Sequence, residues 1–187
     1  MSLALRWLLA PTADDRAGLA DLVAEVVAAG GAVGWLEAPA PAEVDAWLSE
    51  ALAGGARFAL ARDDGRVVGC GYWQRHLGPV LRRNAQLSKL MTAPRARGRG
   101  VARLVATALV DDARAAGVEV LTLAARGNNH AALGLYASLG FATTGRRPDF
   151  VAVGDERFDE VLMHLDLRTD PGGLVRYGGL RSGPGST

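Results

Sequence analysis

The sequence lacks the features that mark secreted, membrane-spanning and nucleic-acid-binding proteins. Cys70 is the single cysteine among 187 residues, so no intrachain disulfide can form, and we expect a protein of the reducing cytoplasm. No apolar run approaches the roughly 18 residues that a membrane span needs. A net charge of +1 gives no general reason to expect nucleic acid or an anionic membrane as partner.

Length and composition predict one domain followed by a short tail. A chain of 187 residues can bury a sizeable core, and 49% hydrophobic and 22% charged residues are ordinary for a globular protein. The apolar residues 1–10 hold Arg6, lack a cleavage-site pattern and precede Pro11, so they predict a strand rather than a signal peptide. We place the domain at residues 1–167. Residues 168–187 are rich in Gly, Ser and Pro, and we expect a flexible tail there.

The spacing of apolar residues and turn signals predicts a single-domain α/β fold with a mixed sheet flanked by helices. The element order is β-α-α, then a meander of three strands, then α-β-α-β-β. Helices begin near residues 14, 41, 101 and 129 and end near residues 30, 54, 116 and 139. The predicted strands span about residues 3–9, 57–61, 66–74, 86–92, 118–125, 141–144 and 158–167.

The segment Arg97 to Ala102, Arg-Gly-Arg-Gly-Val-Ala, joins a predicted strand to a predicted helix. At such a junction free backbone N–H groups and the positive end of the helix dipole converge, and glycine lets the backbone approach an anion. Arginines at positions 95, 97, 99 and 103 add donors for phosphate oxygens. The segment therefore predicts a pyrophosphate-binding site.

Two common pyrophosphate motifs do not fit this junction. A P-loop needs a lysine followed by Ser or Thr after its last glycine, where Val101 and Ala102 stand instead. A dinucleotide-binding motif needs a third glycine and an acidic residue roughly 20 positions further on. The next predicted strand ends in Ala124, Ala125 and Arg126, without an acid.

The spacing Arg-x-x-Gly-x-Ala after a strand and a proline resembles the acyl-CoA loop of the GNAT superfamily of N-acetyltransferases. A second segment, Asn129 to Phe141, resembles the superfamily's Asn-x-x-Ala-x-x-x-Tyr-x-x-x-Gly-Phe pattern at every named position. The match covers about residues 3–167 and implies that the mixed sheet is mostly antiparallel. Residues 87–91 followed by 96–100 are similar to the tabtoxin-resistance acetyltransferase branch, which implies a small amine acceptor such as an amino-acid-like toxin or antibiotic.

The resemblance implies acetyl-CoA as co-substrate, no metal, and a set of residues that hold the cofactor. The strand at residues 90–92 would pair with the pantetheine amides, and the backbone of residues 98–103 would hold the pyrophosphate. A backbone N–H near Met91 would polarise the thioester carbonyl. The predicted cofactor-binding residues are Leu90, Met91, Thr92, Arg97, Gly98, Arg99, Gly100, Val101, Ala102, Arg103, Asn129 and Tyr136.

Tyr136 is the predicted catalytic residue. It lies seven positions after Asn129, two helical turns, so both side chains share one helix face. A phenol of pKa ~10 is a candidate to protonate the departing CoA thiolate. The alternative for Tyr136 is core packing beside Leu133 and Leu139, and for Asn129 it is a helix N-cap.

The general base is where the sequence departs from the superfamily pattern. Relatives commonly carry a glutamate on the central strand, where this chain has Gln86, Ser88 and Lys89, and we interpret Lys89 as structural. The candidate bases are His76, His130, His164, a water chain, or Asp149 and Glu156 in the predicted loop between the last strands, and a weakly basic acceptor amine would need none of them.

The predicted function is transfer of an acetyl group from acetyl-CoA to a primary amine of a small molecule, in a direct ternary complex. Acetylation of a protein N-terminus or lysine, and a non-catalytic acyl-CoA sensor, are the alternatives. The expected partners are a small-molecule amine and neither nucleic acid nor a membrane, and the expected assembly is a monomer or homodimer.

Overall fold

The computed structural model describes residues 3–31 and 33–168, and the predicted tail therefore lies outside the described residues apart from Arg168. Seven strands form one sheet in the order β1-β2-β3-β4-β5-β7-β6. All neighbouring strands pair antiparallel except β4 and β5. The elements are β1 (Leu3–Trp7), α1 (Ala13–Ala28), α2 (Pro41–Ala53), β2 (Arg57–Asp63), β3 (Arg66–Arg75), β4 (Asn84–Thr92), a 3-10 turn (Pro94–Ala96), α3 (Val101–Ala115), β5 (Val120–Arg126), α4 (His130–Ser138), β6 (Ala142–Val153) and β7 (Glu156–Asp166). The predicted fold class is confirmed.

The first helix, α1, begins and ends with signals that the sequence carries. Thr12 and Asp15 form a reciprocal capping box at its start. At its end Gly30 takes a φ of 73°, and the N–H groups of Gly30 and Gly31 bond to the carbonyls of Val27 and Val26. This is the Schellman arrangement, which satisfies the last carbonyls and turns the chain toward residues 33–36.

Helices cover both faces of the sheet. Helix α3 packs on the face that contains Gly69 and Gly71, where an added Cβ would come within 2.5 Å of Val101 and 2.9 Å of Leu109. On the opposite face Tyr72 stacks on Phe58, with ring centroids 4.5 Å apart. The two glycines of β3 therefore allow α3 to lie close to the middle of the sheet.

The centre of the sheet opens between β4 and β5. Their parallel pairing joins residues 84–86 to residues 120–122 and ends there. Beyond it, residues 87–92 of β4 pair with no strand on that side within the described part of the chain. A β-bulge lies in the same stretch, because Lys89 and Leu90 together stand opposite Gly71 of β3. Lys89 has a φ of 52°, in the left-handed region.

The last hairpin is longer than the sequence predicted. We expected a strand at residues 141–144 and a loop that carries Asp149 and Glu156, but β6 extends to Val153 and Glu156 begins β7. Pro148 is compatible with a strand here because β6 is the edge of the sheet, where a missing N–H breaks no ladder bond. The register also shifts between Arg147 and Val151, which absorbs the positive φ of Asp149.

None of the helices among the described residues is long and apolar enough to cross a membrane.

Candidate active site

A pocket of about 550 Å³ lies between the free edge of β4, the start of α3 and the face of α4. Its walls include every predicted cofactor-binding residue except Arg99. The end of α1 closes one side of the pocket through Val26, Ala29, Gly30 and Gly31. Segments predicted from two separate motifs thus meet around one cavity.

The start of α3 offers an anion site. Gly98 and Gly100 have φ values of 73° and 80°, which residues with a Cβ rarely adopt. The first backbone bond of the helix runs from the N–H of Leu104 to the carbonyl of Gly100. The N–H groups of Val101, Ala102 and Arg103 therefore have no partner within the helix and are available to an anion.

The sequence predicted phosphate donors from all four arginines around this turn, but only two of them face the pocket. Arg95 binds the carboxylate of Glu25, and Arg99 donates to Asp63 at 2.7 Å. Their charges are thus compensated inside the fold by residues distant in sequence. Arg97 and Arg103 line the pocket, and Arg103 also donates to Ser138 of α4 at 2.8 Å.

The free edge of β4 carries an unsatisfied polar group. The hydroxyl oxygen of Thr92 is buried and has no hydrogen-bond partner among the described residues. Because burying a hydroxyl without a partner is unfavourable, this oxygen marks a place where a ligand can bond. Backbone groups of β4 that point into the gap add further donors and acceptors.

Asn129 and Tyr136 share one face of α4, as predicted, and each also takes the structural role given as its alternative. Asn129 is the N-cap, and its side chain accepts from the N–H of Ala132 at 3.3 Å. Tyr136 is 7% exposed and packs edge-on against Phe141, with centroids 5.8 Å apart. Burial raises the pKa of Tyr136 to about 12, so its hydroxyl is protonated at neutral pH.

A second pocket, of about 230 Å³, lies where β4 and β5 separate, and Leu90, Asn129 and Tyr136 line it as well as the first. Its charged lining residues are Lys89 and Arg126, with no carboxylate among the described residues that form its walls. A third pocket, of about 410 Å³, adjoins it and is lined by Trp35, Leu36, the end of β6 and Glu160.

Lys89 links the bulge of β4 to the loop that follows α1. Its ammonium group donates to the carbonyl of Val33 and lies 3.9 Å from the ring centroid of Trp35. Burial lowers the pKa of Lys89. The structural interpretation of Lys89 agrees with these contacts, although the residue also forms part of the second pocket.

The candidate bases lie away from these pockets. His76 bonds to the hydroxyl of Thr122 at 3.3 Å, and His130 is exposed at the start of α4. His164 has a buried Nδ1 without a partner among the described residues. None of the three, nor Asp149 or Glu156, lines any of the three pockets. The described residues also contain no cluster of three or more His, Cys, Asp or Glu arranged to hold a metal.

Sequence reasoning missed Arg126, which lines all three pockets. The available signal was its position as the last residue of a strand, at the edge where the sheet opens.

Comparison with known proteins defines the class. Residues 23–141 match the model of the acetyltransferase (GNAT) family. The chain is 29% identical over 131 residues to the L-amino acid N-acyltransferase MnaT of Escherichia coli (strain K12), covering 67% of this chain and 74% of that protein. It is 32% identical over 88 residues to the [ribosomal protein bS18]-alanine N-acetyltransferase of the same strain, covering 47% of this chain and 60% of that protein.

The fold is similar to that of a GNAT superfamily phosphinothricin acetyltransferase (Pat) from Sinorhizobium meliloti, solved in complex with AcCoA. The TM-score is 0.76 at 23% identity, and the match covers 95% of this chain and 97% of that one. The chain belongs to the GNAT acetyltransferase family, and it is an acetyl-CoA-dependent N-acetyltransferase. The resemblance predicted from the two motifs is confirmed.

The residues around the largest of these three pockets fit acetyl-CoA. The free N–H groups at the start of α3 suit a pyrophosphate, and the unpaired edge of β4 with the Thr92 hydroxyl suits the amides of an extended chain. When bound, acetyl-CoA supplies an activated acetyl thioester.

Proposed function

We propose that this enzyme acetylates the primary amine of a small molecule, with acetyl-CoA and acceptor bound at the same time. The observation that carries the proposal is the sharing of Leu90, Asn129 and Tyr136 between two pockets. The larger pocket has groups that fit acetyl-CoA, and the smaller pocket lies where β4 and β5 separate. A ligand in each would meet at these residues, so direct transfer needs no covalent enzyme intermediate.

In this proposal the chain holds the cofactor with its backbone. The N–H groups of residues 101–103 would bond to the pyrophosphate, and the edge of β4 would align the pantetheine. A backbone N–H at the bulge, near Met91, would bond to the thioester carbonyl oxygen and stabilise the negative charge that develops there.

Tyr136 would act on the leaving sulfur. Its pKa of about 12 keeps the hydroxyl protonated, so it is ready to donate. That value exceeds the ordinary pKa of a thiol, about 8.5, so complete transfer to an isolated thiolate is unfavourable. The hydroxyl therefore donates a hydrogen bond as charge develops on sulfur, and its proton moves as the acceptor nitrogen gives one up.

The surroundings of the acceptor amine favour its neutral, nucleophilic form. Lys89 and Arg126 line the second pocket, and nearby cations disfavour a further ammonium group. This reduces the need for the glutamate that relatives carry on the central strand. Glu160 is the one carboxylate among the described residues that line the three pockets, but it is paired with Arg147, so the amine proton would leave through water.

A protein N-terminus is the second candidate acceptor, and the similarity to the bS18-alanine N-acetyltransferase favours it. The two candidate acceptors differ in the molecule that carries the amine, which is a small molecule in one case and a polypeptide in the other. We also infer a cytoplasmic location, which the single, buried Cys70 supports.

The proposal is tested by release of free thiol from acetyl-CoA in the presence of amino acids, simple primary amines and peptides with an N-terminal alanine. We expect turnover with one or more small amines above the rate without acceptor. Preferential turnover of the peptides would favour the second candidate. Tight acetyl-CoA binding by calorimetry without turnover of any acceptor would instead favour a non-catalytic sensor.

A further inference from the structure

Arg126 occupies the junction of the three pockets. It is the last residue of β5, next to the opening of the sheet, and it contributes to the walls of the cofactor pocket, the pocket at the strand gap and the third, more apolar pocket. An acceptor in the pocket at the strand gap would therefore lie beside this guanidinium group.

The charge of Arg126 has no carboxylate partner among the described residues. Its Nε is buried without a hydrogen-bond partner, and one terminal nitrogen donates to the carbonyl of Gly30 at 3.3 Å. The ring of Phe158 lies 4.9 Å from the guanidinium carbon. These contacts fix the plane of the guanidinium group and leave donors on it unused.

The carboxylate that stands opposite Arg126 in the sheet pairs with a different arginine. Glu160 of β7 stands directly opposite Arg126 of β5. It nevertheless accepts from Arg147 of β6 at 2.8 Å. Opposite charges on facing positions would ordinarily pair. Because Glu160 pairs with Arg147 instead, Arg126 remains a cation at the mouth of the strand gap that a ligand can neutralise.

We propose that Arg126 binds the carboxylate of the acceptor and that the acceptors are α-amino acids. This inference rests on the proposed function and names the substrate class of the same site. A guanidinium group offers two parallel donors that match a carboxylate. An amine on the carbon next to that carboxylate would then lie in the pocket at the strand gap, beside Tyr136. The remaining substituent would enter the third pocket, among Trp35, Leu36 and Val151.

The assignment distinguishes an amino acid from a protein N-terminus. Both present an α-amine, but a polypeptide carries an uncharged amide where the amino acid has its carboxylate. An uncharged amide gives the guanidinium group no anion to pair with, so the site selects against an uncharged group at this position. The alternative source of an anion is the cofactor, because Arg126 also lines the cofactor pocket.

The experiment compares each of a set of L-amino acids with its own amide, which has the same side chain and no carboxylate. Thiol release gives kcat/KM for each, calculated on the concentration of unprotonated amine. For the wild type we expect the acid to exceed the amide by about 10- to 100-fold, the range for a charge-assisted hydrogen bond. In Arg126→Met this preference for the acid over its amide should disappear, and Arg126→Lys should restore part of it.

Arg157→Met is the matched control, because Arg157 is exposed at the β6–β7 turn, donates to the carbonyl of Gly154 and lines none of the pockets. It should keep the preference for acids. An unchanged preference in Arg126→Met, or a wild type that prefers amides or peptides, would overturn the assignment. Weaker acetyl-CoA binding by Arg126→Met in the absence of acceptor would assign the arginine to the cofactor instead.

Calorimetry separates failure of this inference from failure of the proposed function. With CoA present, the wild type should bind the preferred amino acid, and Arg126→Met should bind it at least about tenfold more weakly. If binding follows this pattern while no acceptor is turned over, the proposed function fails and the carboxylate site remains. Equal binding by both proteins overturns the carboxylate site whatever the turnover.

Discussion

Trp73 of β3 donates its indole N–H to the carboxylate of Asp112 on α3, at 2.8 Å. The same carboxylate accepts two bonds from Arg57 of β2, at 2.6 and 2.5 Å. One side chain therefore joins α3 to two strands of the sheet, and α3 begins at the proposed pyrophosphate site. This contact helps to hold α3 against the sheet.

We expect Asp112→Ala to lower the free energy of unfolding by about 1–3 kcal/mol, because the indole N–H of the buried Trp73 would lose its acceptor. The matched control is Asp111→Ala on the same helix, whose side chain is 64% exposed and pairs with Arg114. It should cost no more than about 0.5 kcal/mol. Urea denaturation measures both, and equal losses would show that Asp112 does not anchor the helix.

Gly100→Val tests the proposed pyrophosphate cradle. Its side chain would extend from a residue that lines the cofactor pocket and precedes the free N–H groups of α3. Calorimetry with acetyl-CoA should show an affinity lower by more than about tenfold. Strain alone cannot produce this result if Gly117→Val, which has a similar φ of 74° and lines none of the pockets, binds normally.

Retention of wild-type affinity in folded Gly100→Val would refute the cradle. Gly100→Ala is the milder variant for the case in which valine prevents folding, and the same comparison then uses Gly117→Ala.

The ionised carboxylate of Asp15 should stabilise the fold, and this stabilisation should be lost in acid. Burial raises its pKa, but bonds from Thr12 and Arg62 and the charge of Arg6 outweigh this effect, so the pKa lies below its ordinary 3.8. The stabilisation is therefore complete above about pH 4 and is lost as the pH falls through the folded-state pKa. Asp15→Asn should be less stable than wild type by about 1–3 kcal/mol at pH 7.

The difference between wild type and Asp15→Asn should shrink below pH 4, as followed by urea denaturation at several pH values. Asp14→Asn is the control, because the Asp14 side chain is 81% exposed although it also contacts Arg62. A difference for Asp15→Asn that stays constant down to pH 2 would mean that the charge of Asp15 contributes nothing.

The fold could be predicted from the sequence where local signals decide it. Capping residues, glycine turns and apolar periodicity placed all four helices and the central strands near their observed bounds. Pro148 and Asp149 favour loops, so the sequence predicts a β6 strand that ends too early. Their strand conformation depends on the edge position of β6 and on a register shift against β7, and neither is visible in one segment of sequence.

In the candidate site, too, local sequence predicts one part and only the folded chain reveals the other. The proposed cradle is contiguous in sequence from Arg97 to Arg103, and all of these residues except Arg99 line the pocket. The partner of Arg99, Asp63, is 36 positions away. Arg126 meets Gly30 across 96 positions. Such contacts decide which arginines keep an uncompensated charge, and only the folded chain reveals them.

Tyr136→Phe tests whether the hydroxyl acts on the leaving sulfur. The substitution keeps the ring and its edge-on contact with Phe141, and no hydrogen bond to another described residue is lost, so stability should change little. Loss of a general acid typically lowers the rate by about 10²–10⁴-fold. We expect the loss in kcat with unchanged acetyl-CoA affinity, since the hydroxyl matters most when negative charge develops on sulfur. Single-turnover measurements must first establish that chemistry limits the rate. If Tyr136→Phe then turns over its best acceptor within about twofold of the wild type, the side chain serves only to pack against Phe141.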